Sequence, residues 1–128
     1  MSLSAAVMCL AMNIYHEARS EPFEGKLAVA HVTMNRVKSP KFPNDVCSVV
    51  WQDSQFSWTN DGKSDKMKEK KHRREALLIA SLFLQKHAWN KNDLTQGATF
   101  YHANYVEPFW SKKFEVTTII GNHIFYKP

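Results

Sequence analysis

Along the first forty residues, apolar side chains recur at three- and four-residue steps. Val7, Leu10, Ala11, Ile14 and Ala18 form one stripe, which predicts a helix over about residues 5–18 that opens after Ser4. The pattern breaks at Ser20-Glu21-Pro22. Pro22 suits the first turn of a following helix, with Ser20 or Glu21 as its cap and Glu24 adding negative charge near the N-terminal end. That second helix is expected over about residues 23–37. Residues 27–34 are apolar almost all round, which marks it as the buried centre of the fold, with His31 a satisfied core or boundary histidine.

Ser39-Pro40 and Phe42-Pro43-Asn44 then signal a loop. Asn44-Asp45 can cap one or two helical turns through Val46, Cys47, Val49 and Val50, and the β-branching there makes a short strand the alternative. Gln55-Phe56-Ser57-Trp58 sets two large rings among small polar groups and leads to an Asp61-Gly62 turn. A third main helix is expected over about residues 66–90, with Ala76, Ile79, Ala80, Phe83 and His87 on one face and Leu77 and Leu84 beside them. After Gly97 the period changes. Thr99-Phe100-Tyr101-His102 is short and aromatic, and the runs before and after Gly121-Asn122 read as a tight antiparallel hairpin. The expected class is α+β, with three main helices followed by a small antiparallel sheet. A chain of 128 residues can bury one compact core, so one domain over residues 1–128 is expected.

Within the first stripe, Glu17 follows Leu10 by seven positions and Ile14 by three, which puts it on the flank where the helix leaves the core for a surface or cleft. A carboxylate there loses water and feels the negative end of the helix dipole, and both favour its protonated form. A general acid needs that near neutral pH. The plainer reading is an exposed glutamate paired with Arg19 or Lys26.

Composition narrows the partners. The chain is 44% hydrophobic, 12% aromatic and 23% charged, which is globular rather than disordered, and its formal charge of +5 suits an anionic partner. The densest basic run, residues 66–74, has no glycine-rich or aromatic pattern of a nucleic-acid module around it, so it is read as a solvated helix start. No nucleic-acid partner is expected. No apolar stretch reaches the roughly 18 residues needed to span a bilayer. The first eighteen residues lack a basic n-region and a small-residue cleavage site, so they are assigned to the fold rather than to a signal peptide, and Met1-Ser2-Leu3 also fits a cloning remnant replacing a longer natural start.

Six histidines raise a metal site, but His16-Glu17 is followed by Ser20 where the zincin pattern needs its second histidine. Neither a metal nor a cofactor is expected. Cys9 and Cys47 have no C-x-x-C spacing and are read as two buried free thiols, with a single disulfide as the alternative. No G-x-S-x-G or cysteine-nucleophile context is present.

Several stretches together resemble the SleB-like cell wall hydrolase family. They are Ile14-Tyr15-His16-Glu17-Ala18-Arg19-Ser20-Glu21-Pro22-Phe23-Glu24-Gly25, Val29-Ala30 through Asn35-Arg36-Val37, Phe42-Pro43, Gln55-Phe56-Ser57-Trp58 with Asp61-Gly62, Gly97-Ala98-Thr99-Phe100-Tyr101-His102, and Ile120-Gly121-Asn122-His123-Ile124-Phe125-Tyr126. Order and spacing are kept over nearly the whole chain. The family is similar to lytic transglycosylases and the lysozyme-like group, and the resemblance implies that Glu17, the glutamate of its Y-x-E-A motif, is the catalytic acid. It implies cleavage of the β-1,4 bond between N-acetylmuramic acid and N-acetylglucosamine in peptidoglycan, outside the cytoplasm. Separately from the resemblance, a monomer is expected. Some relatives carry cysteines flanking the Gln-Phe-Ser-Trp loop, where this chain has Ser54 and Asn60, and many carry glycine where His16 stands.

An intramolecular transglycosylation needs no second catalytic carboxylate, because the internal hydroxyl replaces an activated water. A hydrolytic muramidase needs one roughly 5 to 9.5 Å from the acid, for which Glu24 and Asp61 are the candidates. Transglycosylation is the favoured expectation, with a muramidase or a non-catalytic peptidoglycan-binding module as alternatives. Glu24, Gln55, Ser57, Trp58, Tyr101, His102 and Tyr105 are the candidate groove residues. Trp58 is the candidate for stacking on a sugar, and for Trp58 and Tyr101 core packing is the competing role.

Overall fold

A computed structural model describes residues 3–52, 57–60, 62–86 and 92–128. Among the described residues four α-helices come first: α1 (Leu3–Ala18), α2 (Phe23–Lys38), the short α3 (Val46–Val50) and α4 (Lys70–Lys86). Three strands follow: β1 (Phe100–Ala103), β2 (Glu115–Ile120) and β3 (His123–Lys127). They form an antiparallel sheet in the order β1-β3-β2. The α+β class and the small C-terminal sheet agree with the sequence pattern.

The expected stripes are the buried ones. Leu10, Ala11, Ile14 and Ala18 of α1 and Ala76, Ile79, Ala80 and Phe83 of α4 are buried, and α2 is covered from Ala28 to Arg36. Asp45 decides the open choice at residues 46–50, because its side chain accepts from the Ser48 N–H and caps a helical turn rather than opening a strand. His31 is 3% exposed, with its ring edge-on to Phe83 and its Nδ1 3.7 Å from Asp93 Oδ1.

Two expectations are corrected. Cys9 and Cys47 are not free thiols but a disulfide joining α1 to α3, their Cα atoms being 5.3 Å apart. The third main helix begins at Lys70, not near Lys66, and the cause is local. To start a helix there, the Glu69 N–H would bond the Asp65 carbonyl. Instead the Glu69 N–H donates to the Tyr15 hydroxyl at 3.0 Å, and the Asp65 carbonyl accepts from His16 Nε2 at 2.8 Å. Both backbone groups are spent on α1, and the segment stays non-helical up to Lys70. His87, expected on the α4 face, lies outside the described residues.

The sheet is fastened to the helices at both ends. Asn35 Nδ2 donates to the Ala98 carbonyl at 3.0 Å and Arg36 Nε to the Thr99 carbonyl at 2.7 Å, which fixes the entry to β1. At the far end Glu21, 7% exposed, accepts from the Asn122 backbone N–H at 2.7 Å and from its Nδ2 at 3.0 Å. Glu21 therefore braces the hairpin turn rather than capping α2, whose N-cap is Pro22. Gly121 has φ 58°, and a Cβ there would lie 2.5 Å from Glu21 Oε1, so both conformation and space call for glycine.

Candidate active site

Glu17 occupies the penultimate position of α1, at the negative end of its dipole. It pairs with neither Arg19 nor Lys26: Arg19 Nε lies 3.5 Å from Glu69, and Lys26 pairs with Glu75. Its own partner is distant in sequence. The Tyr101 hydroxyl, on β1, donates to Glu17 Oε1 at 2.5 Å.

Burial raises the Glu17 pKa above the ordinary carboxylate value, while the Tyr101 hydrogen bond and the charge of Arg36 pull it back part of the way. Arg36 is buried beneath the site, its guanidinium over the rings of Phe42 and Phe100 at 4.9 and 5.3 Å. Desolvation lowers its pKa to about 10, which still leaves it a cation near neutral pH. Burial and the adjacent carboxylate push the Tyr101 phenol well above its usual range, so it remains a donor. The arrangement shifts the acid toward its protonated form in a partly dry site and keeps one hydroxyl and one cation ready to stabilise the carboxylate once the proton leaves.

Glu17 lines a cleft of about 590 Å³ together with Tyr15, His16, Arg19, Trp58 and Glu69, and Lys63, Ser64, Lys66 and Lys68 of the segment before α4 also line it. Trp58 is 5% exposed. Its Nε1 donates to Asn13 Oδ1 at 2.9 Å and its ring stacks on His16 at 4.7 Å, so most of the indole is committed to packing and only its margin reaches the cleft.

The other groove candidates disperse. Glu24 is exposed in the first turn of α2 and does not line this cleft. Tyr101 and His102 are adjacent on a strand, so they project to opposite faces. Tyr101 faces α1, whereas His102 faces outward, donating from Nδ1 to the Ala103 carbonyl and meeting the Tyr126 hydroxyl through Nε2, both at 2.8 Å. Tyr105, 84% exposed, shares with His102 a separate cavity of about 480 Å³. Gln55 and Asp61 lie outside the described residues, and of Ser57 only its place in a 3-10 turn, Ser57–Asn60, is described.

Sequence reasoning gave no role to Arg36, Glu69 or His123. Arg36 stands in a family-like stretch, but nothing in its neighbours marks a buried cation. His123 stacks edge-on against Tyr101 at 5.1 Å, and its Nδ1 lies 3.8 Å from Glu21 Oε1. Only the pairing of β1 with β3 brings it there.

Comparison with known proteins places the chain in a family. A family model described as Cell Wall Hydrolase matches residues 20–126. The chain belongs to this family. Among cell wall hydrolases it is similar to the spore cortex-lytic enzyme of Bacillus subtilis, at 42% identity over 74 residues, covering 58% of this chain and 24% of that protein. It is also similar to the spore cortex-lytic enzyme of Halalkalibacterium halodurans, at 32% identity over 120 residues, 93% of this chain and 34% of that one. The chain thus spans about a quarter to a third of the length of these relatives. Two solved structures share the fold, each with a TM-score of 0.75. The catalytic domain of Bacillus cereus SleB is 30% identical, covering 97% of this chain and 91% of that one. The catalytic domain of the Bacillus anthracis germination-specific lytic transglycosylase SleB is 31% identical, covering 95% and 93%. The family match begins just after α1, whereas these structural matches span nearly the whole chain.

Proposed function

We propose that this cell wall hydrolase is a peptidoglycan lytic transglycosylase in which Glu17 acts first as acid and then as base. The observation that carries the reading is a half-buried carboxyl with a raised pKa, hydrogen-bonded by Tyr101 at the wall of an open cleft. The Glu17 carboxyl gives its proton to the glycosidic oxygen as the bond from the muramic C1 to that oxygen breaks, and the N-acetylglucosamine side leaves as an alcohol. Positive charge develops at C1 and the ring oxygen. The Glu17 carboxylate, supported by the Tyr101 hydroxyl and the Arg36 charge, then takes the proton of the muramic C6 hydroxyl as that oxygen closes on C1. The product is a 1,6-anhydro end, and Glu17 is protonated again. No water is consumed.

The substrate is the glycan strand of the wall, met outside the cytoplasm after export or lytic release. Among the described residues no helix is long and apolar enough to cross a membrane. Glu17→Gln should keep the fold and abolish lysis of purified walls, and full lysis by that variant would remove the proposal. Mass spectrometry of the released muropeptides decides the outcome of the reaction. Anhydro ends support transglycosylation, whereas reducing ends alone would turn the reading to a muramidase, with Glu69, the other carboxylate that lines the cleft among the described residues, as its base or nucleophile. Binding to walls without any release would make it a binding module.

A further inference from the structure

Glu17 and Glu21 stand four residues apart around the end of α1, and both reach the sheet. Glu17 accepts from the Tyr101 hydroxyl on β1, whereas Glu21, whose own N–H donates to the Ala18 carbonyl at 2.9 Å, accepts from Asn122 at the β2–β3 turn. The Glu21 side chain is closely fitted there. A Cβ on Gly25 would lie 3.0 Å from its Cβ, and one on Gly121 would lie 2.5 Å from its Oε1. The residue after Asn122 is His123, the first of β3, and it is 7% exposed. His123 and Phe125 alternate onto one face of that strand, the face toward the helices. Both rings meet the Tyr101 phenol: Phe125, its register partner, at 5.6 Å and 33°, and His123 at 5.1 Å and 65°. The contacts therefore close on themselves, running from Glu17 along the end of α1 to Glu21, then to the turn, His123, Tyr101 and back to Glu17.

The acid chemistry uses the Tyr101 hydroxyl but gives His123 no work. His123 does not line the Glu17 cleft. Its Nδ1 is buried 3.8 Å from Glu21 Oε1, beyond hydrogen-bond reach, and has no hydrogen-bond partner among the described residues. Burial and the nearby His102 lower its pKa against the pull of Glu21, so the ring is neutral near neutral pH. What it offers Tyr101 is a shape rather than a proton. Misplacing a group at a reacting centre by about 1 Å can cost up to about a hundredfold in rate, so the packing of the acid's partner matters. We propose that His123 is a positioning residue: set in place by the hold of Glu21 on the turn, its ring keeps the Tyr101 phenol seated on Glu17. The helix that carries the acid thereby also sets the acid's hydrogen-bond partner. The inference rests on the reading of Glu17 as the acid of this cleft.

The test replaces the ring and then restores one. His123→Leu and His123→Met fill the space without a flat ring, so that a folded variant is in hand, and His123→Phe returns the ring without the nitrogens. Each is made alone and with Tyr101→Phe, thermal melts fix an assay temperature below every midpoint, and the readouts are the Glu17 titration by carboxyl NMR and kcat and KM on purified walls. Loss of the ring should raise the Glu17 pKa, in the direction of Tyr101→Phe, and lower kcat about fivefold with KM held within about twofold. His123→Phe should recover both. In the Tyr101→Phe background, loss of the ring should lower kcat by less than about twofold, because the bond it loosens is already gone. A Glu17 pKa untouched by loss of the ring overturns the inference and leaves the acid reading standing. A kcat loss that multiplies in full with that of Tyr101→Phe also overturns it, as the mark of general loosening. A Glu17 titration that moves while walls are cleaved at the native rate in both single variants removes the acid reading, and the inference with it.

Discussion

Tyr101 and His102 are neighbours in the chain with similar chemistry and opposite surroundings. On the face of the sheet toward the helices, Tyr101 packs with Phe125 and places its hydroxyl on Glu17, next to an open cleft. On the outer face, His102 stacks on Tyr126 at 5.3 Å within a cluster completed by Phe100, Trp110 and Phe114, and both of its ring nitrogens are satisfied there. The first face leaves a carboxyl short of solvent and long on function. On the second, the half-buried imidazole has both nitrogens hydrogen-bonded. A tyrosine and a histidine side by side are therefore no more a pair than any two successive strand residues, and the parity of the strand decides which one meets the acid.

The largest expected effect separates activity from stability on the helix face. Glu17→Gln should lower the rate of wall cleavage about a thousandfold, as removal of a general acid does. Its stability should move the other way. The folded pKa of Glu17 is raised above the unfolded value near 4.5, so ionisation costs the folded state more than the unfolded one. That stability is intact below pH 4.5 and is lost as pH rises through the folded pKa. Glutamine still accepts from Tyr101 and never ionises. Thermal melts should therefore give matching values for the two proteins at acid pH and a variant that gains over the native chain as pH rises. A variant less stable at every pH would mean that Glu17 holds the fold together rather than waiting at its edge.

Next in size is the crosslink. The Cys9–Cys47 disulfide closes a separation of 38 residues between α1 and α3, and nothing comparable ties the outer face of the sheet. Replacing both cysteines by serine should cost about 4 kcal/mol by the chain-entropy argument, read from denaturant unfolding, with walls still cleaved below the new midpoint. A loss under about 1 kcal/mol would show that the packing of α1 on α4 already fixes the helical side.

Much of this was legible because it is periodic. The stripes of α1, α2 and α4 and the Gly121-Asn122 turn are local patterns, and the flank position of Glu17 follows from counting along one helix. What escaped depends on partners far away in sequence. Nothing near Lys66 announces that the Asp65 carbonyl and the Glu69 N–H will be taken by His16 and Tyr15, so the start of α4 was placed early. The pairing of Cys9 with Cys47 is a matter of Cα distance, which no spacing rule supplies. Glu21 reads as a helix-start residue, yet it closes on a turn 101 positions away. His102 was grouped with Tyr101 because family-like stretches are contiguous, while faces of a strand are not.

The smallest effects bear most directly on the two faces. Tyr101→Phe keeps the ring against Phe125 and removes one donor from Glu17. Because that bond lowers the Glu17 pKa, its loss should raise it further, and activity that requires the protonated acid should persist to higher pH. At the optimum the rate should fall about tenfold, since the carboxylate formed during bond breaking loses a neighbour, and a hydrogen bond to a charged group is worth about 1.5 kcal/mol or more. His102→Phe keeps the stack on Tyr126 and removes two hydrogen bonds from the other face, so it should cost about 1 kcal/mol of stability and leave both the rate and the pH limb within experimental scatter. Measuring the pair side by side on one wall preparation controls for substrate and for general loosening of the sheet. A His102 variant that matched the Tyr101 variant in rate and in pH shift would bring the cavity shared by His102 and Tyr105 into the active site, and the division between the two faces would fail.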